Sequence, residues 1–199
     1  MALAFAGNGT ITGLSVGGLP DGTVDEDTLA NNAVGSGKLA SGVGGKVLQC
    51  VSTTMTTGFT TTASSPTQIT GLSCAITPSA STSKVLVMVT CGLVALPSGG
   101  YFGHWELRRG TSTAIAIGDQ VGSNRPRRTG GWLSYDTNEH ALNFTFLDSP
   151  NTTSATTFYV YAFAEASGTL SINQYAGDYD HAIQGARGAS TMTLMEIGA

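Results

Sequence analysis

From Lys46 onward, short runs of alternating apolar and polar residues are separated by turn residues, the pattern of strands with one buried face. Val47–Ser52, Gln68–Ile76, Lys84–Cys91, Leu142–Phe146, Phe158–Phe163 and Thr191–Ile197 each read as a strand. Trp105–Arg108 leads through Arg109-Gly110 into Ala114–Ile117, which predicts a hairpin. Leu142, Phe144 and Phe146 share one strand face, with Asn143 and Thr145 on the other. Lys84–Cys91 and Phe158–Phe163 are apolar on both faces, which places them in the middle of sheets. Ser64-Ser65-Pro66 and Pro78–Ser83 are breaks, and no amphipathic helix is legible after residue 45. About eight to ten strands with turn signals between them predict an all-β sandwich of jelly-roll type.

The first 45 residues follow another rule. Val24, Leu29, Val34 and Leu39 recur every five positions within a ten-residue near-repeat, Gly22–Ala30 followed by Asn32–Ala40. That spacing fits neither a strand nor a lone helix. Two such units cannot bury their own side chains, so cover is expected from other copies wound around a shared axis. The pattern predicts a short extended or helical trimerisation stalk over 19–45, with Val24, Leu29, Val34 and Leu39 as its contacts. Residues 1–18 carry no charged side chain and are rich in glycine, which suits docking into a partner's groove or pairing at its edge. The expected organisation is a docking segment (1–18), a stalk (19–45) and a β-sandwich knob (46–199).

Composition narrows the function classes. Charged residues are 11% of the chain, and 28 Thr, 19 Ser and 27 Gly fill the deficit. Such surfaces suit contact with sister subunits. Net charge is −4 with no long basic run, so nucleic-acid binding through phosphates is not expected. Cys50, Cys74 and Cys91 lie in separate strand-like runs and read as reduced core thiols. No secretory signal and no apolar run of membrane-spanning length is legible, so synthesis in a cytoplasm without membrane insertion is expected.

Little here suits catalysis. His104 and Glu106 fall on one strand face, a weak metal geometry without further ligands. Asp21, Asp25, Glu26 and Asp27 lack the spacing of a calcium loop and read as charges on the first turn of a short helical piece. Neither a metal nor a cofactor is expected. Asp178, Asp180 or Glu106 are the only residues on which a small depolymerase would rest, and no acid/base pair is identifiable. The expectation is a protein that is not an enzyme.

Two loops carry the recognition chemistry. Gly122–Gly131 holds Arg125, Arg127 and Arg128, three of the nine basic residues, next to Trp132. These arginines suit either phosphate or carboxylate groups on a surface polymer or the acids of a neighbouring subunit. Asn173–Gly185 holds Tyr175, Asp178, Tyr179, Asp180 and His181. Tyr175, Tyr179 and Trp132 are the residue types that stack on sugars, and Asp178, Asp180, Asn173 and Gln174 are those that bind hydroxyls. The alternative is that Tyr175 and Trp132 cover strand ends.

Gly7-Asn-Gly-Thr-Ile-Thr-Gly-Leu-Ser-Val-Gly-Gly-Leu-Pro-Asp-Gly-Thr-Val24 and the decads after it resemble the N-termini of tail-fibre and related virion proteins of tailed phages, including those of cyanobacteria. In the knob, Lys84-Val-Leu-Val, Leu107-Arg-Arg-Gly-Thr-Ser, Phe146-Leu-Asp-Ser-Pro and Thr193-Leu-Met-Glu-Ile-Gly extend the likeness. The resemblance implies a homotrimeric virion fibre made in the bacterial host cytoplasm. Its N-terminus would attach to other virion proteins of the tail, baseplate or capsid. Its knob would face a polysaccharide or protein of the host surface. The alternative is a capsid-decorating spike or head fibre with a purely structural role. With two decads the chain is short for a tail fibre.

Overall fold

The structure, a computed structural model, describes residues 4–5, 11–12, 29, 33–35, 38, 46–96, 101–134, 139–164, 168–175, 177–178, 180 and 185–198. Residues 1–45 and 46–199 form two compact units. In the first, β1 (Ala4–Phe5) pairs antiparallel with β2 (Ile11–Thr12). Leu29 and Val34 are exposed in the single chain, while Val24 and Leu39 lie outside the described residues.

The second unit is a sandwich of two antiparallel sheets. One contains β3 (Val47–Met55), β4 (Phe59–Thr61), β6 (Lys84–Ala95), β10 (Glu139–Asp148), β12 (Leu170–Ile172) and β13 (Ser190–Ile197). The other contains β5 (Thr67–Ile76), β7 (Tyr101–Arg109), β8 (Thr113–Ile115), β9 (Gly130–Ser134) and β11 (Thr156–Ala164). The order β3-β13-β6-β10 faces β5-β11-β7 followed by β8 and β9, which is the jelly-roll arrangement of two interleaved Greek keys. The two-sided apolar runs became β6 and β11, each with a partner on both edges.

Alternation explains the core. Val85, Val87, Val89 and Cys91 of β6 point inward with Met192 and Leu194 of β13, and meet Ile69, Leu72, Cys74 and Ile76 of β5 and Phe158 and Val160 of β11. Their burial supplies the main favourable term, roughly 1.5–3 kcal/mol for each large side chain. Cys74 and Cys91 are buried and burial pushes the Cys91 thiol up to about 11, as expected of inert core thiols. Cys50 differs: it sits on the outer face of β3 and is exposed, because its neighbours Gln49 and Val51 take the inward positions.

Three polar devices close the sandwich. Arg109 of β7 donates to Asp148 of β10 at 2.8 Å, tying the sheets together. At the β5–β6 turn, the fully buried Glu196 accepts from the Ser79 amide (2.7 Å), the Ser79 hydroxyl (2.6 Å) and Gln49 Nε2 (2.6 Å). Where β13 leaves the edge of β6 and β12 takes over, Asn173 adopts a left-handed backbone (φ 60) and is fully buried. Its Nδ2 donates to the carbonyls of Met55 (2.8 Å) and Thr57 (3.2 Å), and its Oδ1 accepts from Ser190 Oγ at 2.6 Å. At the same junction Gly92 donates its N–H to the Ala189 carbonyl, an approach too close for a Cβ.

Candidate ligand-binding groove

The groove grows out of β7. Trp105 and Leu107 turn toward the core, so the alternate residues Phe102, His104, Glu106 and Arg108 project from the outer face of the five-stranded sheet. Register sets Phe163 of β11 opposite His104, and Tyr161 opposite Glu106. Two large aromatic rings on an outer face would ordinarily meet water, yet both are buried. Arginines cover them: the Arg128 guanidinium lies 4.3 Å from the Phe163 ring centroid, and that of Arg108 lies 4.0 Å from Tyr161.

Glu106 makes this cover possible. Its Oε2 accepts from Arg108 at 2.7 and 3.0 Å, and its Oε1 accepts from Arg128 Nη1 at 2.9 Å. One buried carboxylate thus holds two guanidiniums over two rings. Buried charges persist only when paired in this way. Beside them His104 stacks between Phe102 (6.0 Å) and Phe163 (5.1 Å).

The neighbouring strand must leave room for these rings. Gly130 and Gly131 of β9 stand opposite Trp105 and His104. A Cβ on either glycine would fall about 2.5 Å from the facing ring, at 2.4 Å for Trp105 and 2.5 Å for His104. Rings lying over cross-strand glycines are a known way to fill such a gap. The loop between β8 and β9 is pinned by Thr129, which donates its N–H to the Trp105 carbonyl while its hydroxyl accepts from Leu107 N and donates to Ile115 O.

Between this loop and β7 lies a concavity of about 550 Å³. It is lined by the side chains of Phe102, His104, Val121, Arg125, Arg127 and Arg128, by Asp119, and by Gly118, Gly130 and Gly131. Arg125 and Arg127 are exposed, and among the described residues neither has a carboxylate partner. Arg128 differs from them, because its charge is matched by Glu106 of the same chain.

Of the residues singled out from sequence, Arg125, Arg127 and Arg128 come together here. The backbone of Trp132 pairs with Gly103 on the adjoining strand, and its side chain lies outside the described residues. None of the described residues of 173–185 lines the concavity. In that loop Asp178 (φ 41) donates its N–H to the Tyr175 carbonyl at 3.0 Å and pairs with Arg187 at 2.5 Å. Tyr175 is half-buried and Asp180 exposed, while Tyr179 and His181 lie outside the described residues. Asn173 and Gln174, read as hydroxyl ligands, are buried; Asn173 is spent on backbone carbonyls, and Gln174 Oε1 accepts from Arg187. His104 and Glu106 do share a strand face, but aromatic rings and guanidiniums occupy it. Among the described residues no three His, Cys, Asp or Glu come together as a metal cluster, and no helix is long and apolar enough to cross a membrane.

Sequence reasoning missed the Glu106–Arg108–Arg128 layer. Its signal was the alternation Phe102-x-His104-x-Glu106-x-Arg108, which puts acid and base on one face. What the alternation lacked was the partner from 22 residues downstream.

No protein-family model matches this sequence, and no curated protein matches it. Three solved structures of infectious bursal disease virus are similar. The Gx strain structure is 12% identical over 76% of this chain, with a TM-score of 0.37. The T=1 particle structure is 12% identical over 76%, with a TM-score of 0.36. The T13 viral particle structure is 14% identical over 76%, with a TM-score of 0.32. This chain spans 36%, 41% and 36% of those chains.

Proposed function

We propose that the protein is a structural component of a virion whose jelly-roll domain uses the β7 groove to adhere to an acidic polymer of the host surface. One observation carries the adhesion reading: among the described residues Arg125 and Arg127 have no acidic partner, and they line one concavity with Phe102 and three glycines. Guanidiniums without a partner bind carboxylate or sulfate in bidentate fashion, an aromatic edge packs against a sugar ring, and glycines let a chain approach closely. Arg128 positions the wall and is not a free charge. The N-terminal unit serves as attachment and trimerisation segment in this reading, supported by the exposure of Leu29 and Val34 in the single chain. In this reading the protein is not an enzyme; of the residues on which a depolymerase would rest, Glu106 and Asp178 are each paired with arginine.

The test is retention of the full chain on immobilised polygalacturonate, dextran sulfate and neutral dextran. Adhesion through the groove predicts retention on one or both acidic polymers, its loss in Arg125→Ala/Arg127→Ala, and none on neutral dextran. Equal behaviour of the double variant and the native chain on every column would remove the groove from the function and leave the purely structural reading.

A further inference from the structure

The outer face of the six-stranded sheet differs in kind from the outer face just described. Register and alternation align its outward residues in rows across β10, β6, β13 and β3. Leu147, Leu86, Met195 and Cys50 form one row. Thr145, Met88, Thr193 and Ser52 form the next, and Asn143, Thr90, Thr191 and Thr54 the third. Twelve adjacent positions on four strands carry no charge; Lys84 stands at the border. Leu48, two residues before Cys50 on the edge strand β3, adjoins the first row, and Leu48 (52%) and Leu147 (45%) are strongly exposed in the single chain.

We infer that this face is a homotypic interface, covered by further copies of the same jelly roll. The occupant is argued from charge. Across a two-fold axis a surface meets its own kind, so any charge near the axis faces a like charge and is destabilising. A face with no charge over twelve positions is self-compatible, whereas the opposite face, with Glu106, Arg108 and Arg128, is committed to its own internal pairing. The hydroxyl rows are self-complementary too, because Ser and Thr both donate and accept; Ser52 Oγ and Thr193 Oγ1 are already 3.0 Å apart. The apolar row gives such a contact its dry centre. The interface is a property of the jelly roll and stands independently of the ligand groove and of the 19–45 stalk.

Cys50 reports on it directly, since it lies in the apolar row and is the one exposed thiol, Cys74 and Cys91 being buried. The full chain is examined by multi-angle light scattering together with maleimide labelling read by peptide mass spectrometry. The inference predicts an oligomer in which Cys50 labels at least tenfold more slowly than a free thiol. It further predicts that Met195→Lys lowers the mass and restores fast labelling, while Ala75→Arg, on the outer face of the other sheet, changes neither. An oligomer with fast-labelling Cys50 overturns it, since assembly then lies elsewhere. A monomer overturns it as well, whether Cys50 is labelled or is covered by the chain's own first 45 residues. Should Met195→Lys fail to fold, Leu147→Lys, at an exposed position of the same row, takes its place, and an unchanged mass with slow-labelling Cys50 in that variant overturns the inference.

Discussion

Arg128 Nη1 donates to Glu106 Oε1 at 2.9 Å while the same guanidinium lies 4.3 Å from the Phe163 ring centroid. A loop residue and a strand residue thereby share one charge and jointly keep an outward aromatic ring dry. Replacing Arg128 by Ala uncovers Phe163 and leaves Glu106 with Arg108 alone. The expected loss is about 2 kcal/mol, seen as a lower denaturation midpoint at unchanged slope. Arg128→Lys should recover little of it, because an ammonium cannot cover the ring and reach the carboxylate in one plane.

Arg125 and Arg127 should behave in the opposite way. Each substitution by Ala is expected to weaken binding to an acidic polymer several-fold while leaving the thermal midpoint within about 1 °C, since exposed side chains without partners contribute little to stability. Binding by the native chain should weaken as salt rises. A thermal midpoint that drops with either substitution would place these arginines in the fold and not in recognition.

Glu196 predicts an acid limit to stability. Burial alone would raise its pKa, but the hydrogen bonds from Ser79 and Gln49 outweigh that and hold it down to about 2. A carboxyl with a lowered folded-state pKa stabilises the fold above its ordinary value near 4.5 and loses that contribution as pH falls toward 2. Urea midpoints should therefore decline between about pH 4.5 and 2. In Glu196→Gln the decline over that window should be shallower by on the order of 2 kcal/mol, from a lower starting stability.

Asn173 and Gly92 guard the point where β12 succeeds β13 on the edge of β6. Asn173→Ala leaves the Met55 and Thr57 carbonyls and the Ser190 hydroxyl without their partner and places an alanine at φ 60. A loss of about 3 kcal/mol is expected by chemical denaturation. Asn173→Gly should lose less, since glycine tolerates that backbone.

Gly92→Ala puts a Cβ 2.7 Å from the Ala189 carbonyl oxygen. Backbone cannot step aside as a side chain does, so the strand crossing must open. Faster amide exchange at Gly92 and Ser190 is the expected signature, and exchange unchanged from the native chain would show that the crossing adapts.

The all-β character, the hairpin at Gly110 and the central places of β6 and β11 were legible in the sequence. Each depends on local alternation, two-sided hydrophobicity or a glycine turn, and none needs knowledge of what lies across the sheet. The short strands β4, β9 and β12 were not legible, since three to five residues carry no period of their own and exist only as partners of longer strands. The site divides the same way. That Arg125, Arg127 and Arg128 form one basic cluster is visible in their spacing. Only the tertiary structure sets Arg128 apart, because its distinction is Glu106, a contact across 22 residues that a linear pattern does not encode. Likewise Asn173 reads as a polar loop residue until the ends of β3, β6 and β13 converge on it. The sequence by itself determined which faces are apolar; burial, pairing and the direction of each charge were decided by which strands came to lie side by side.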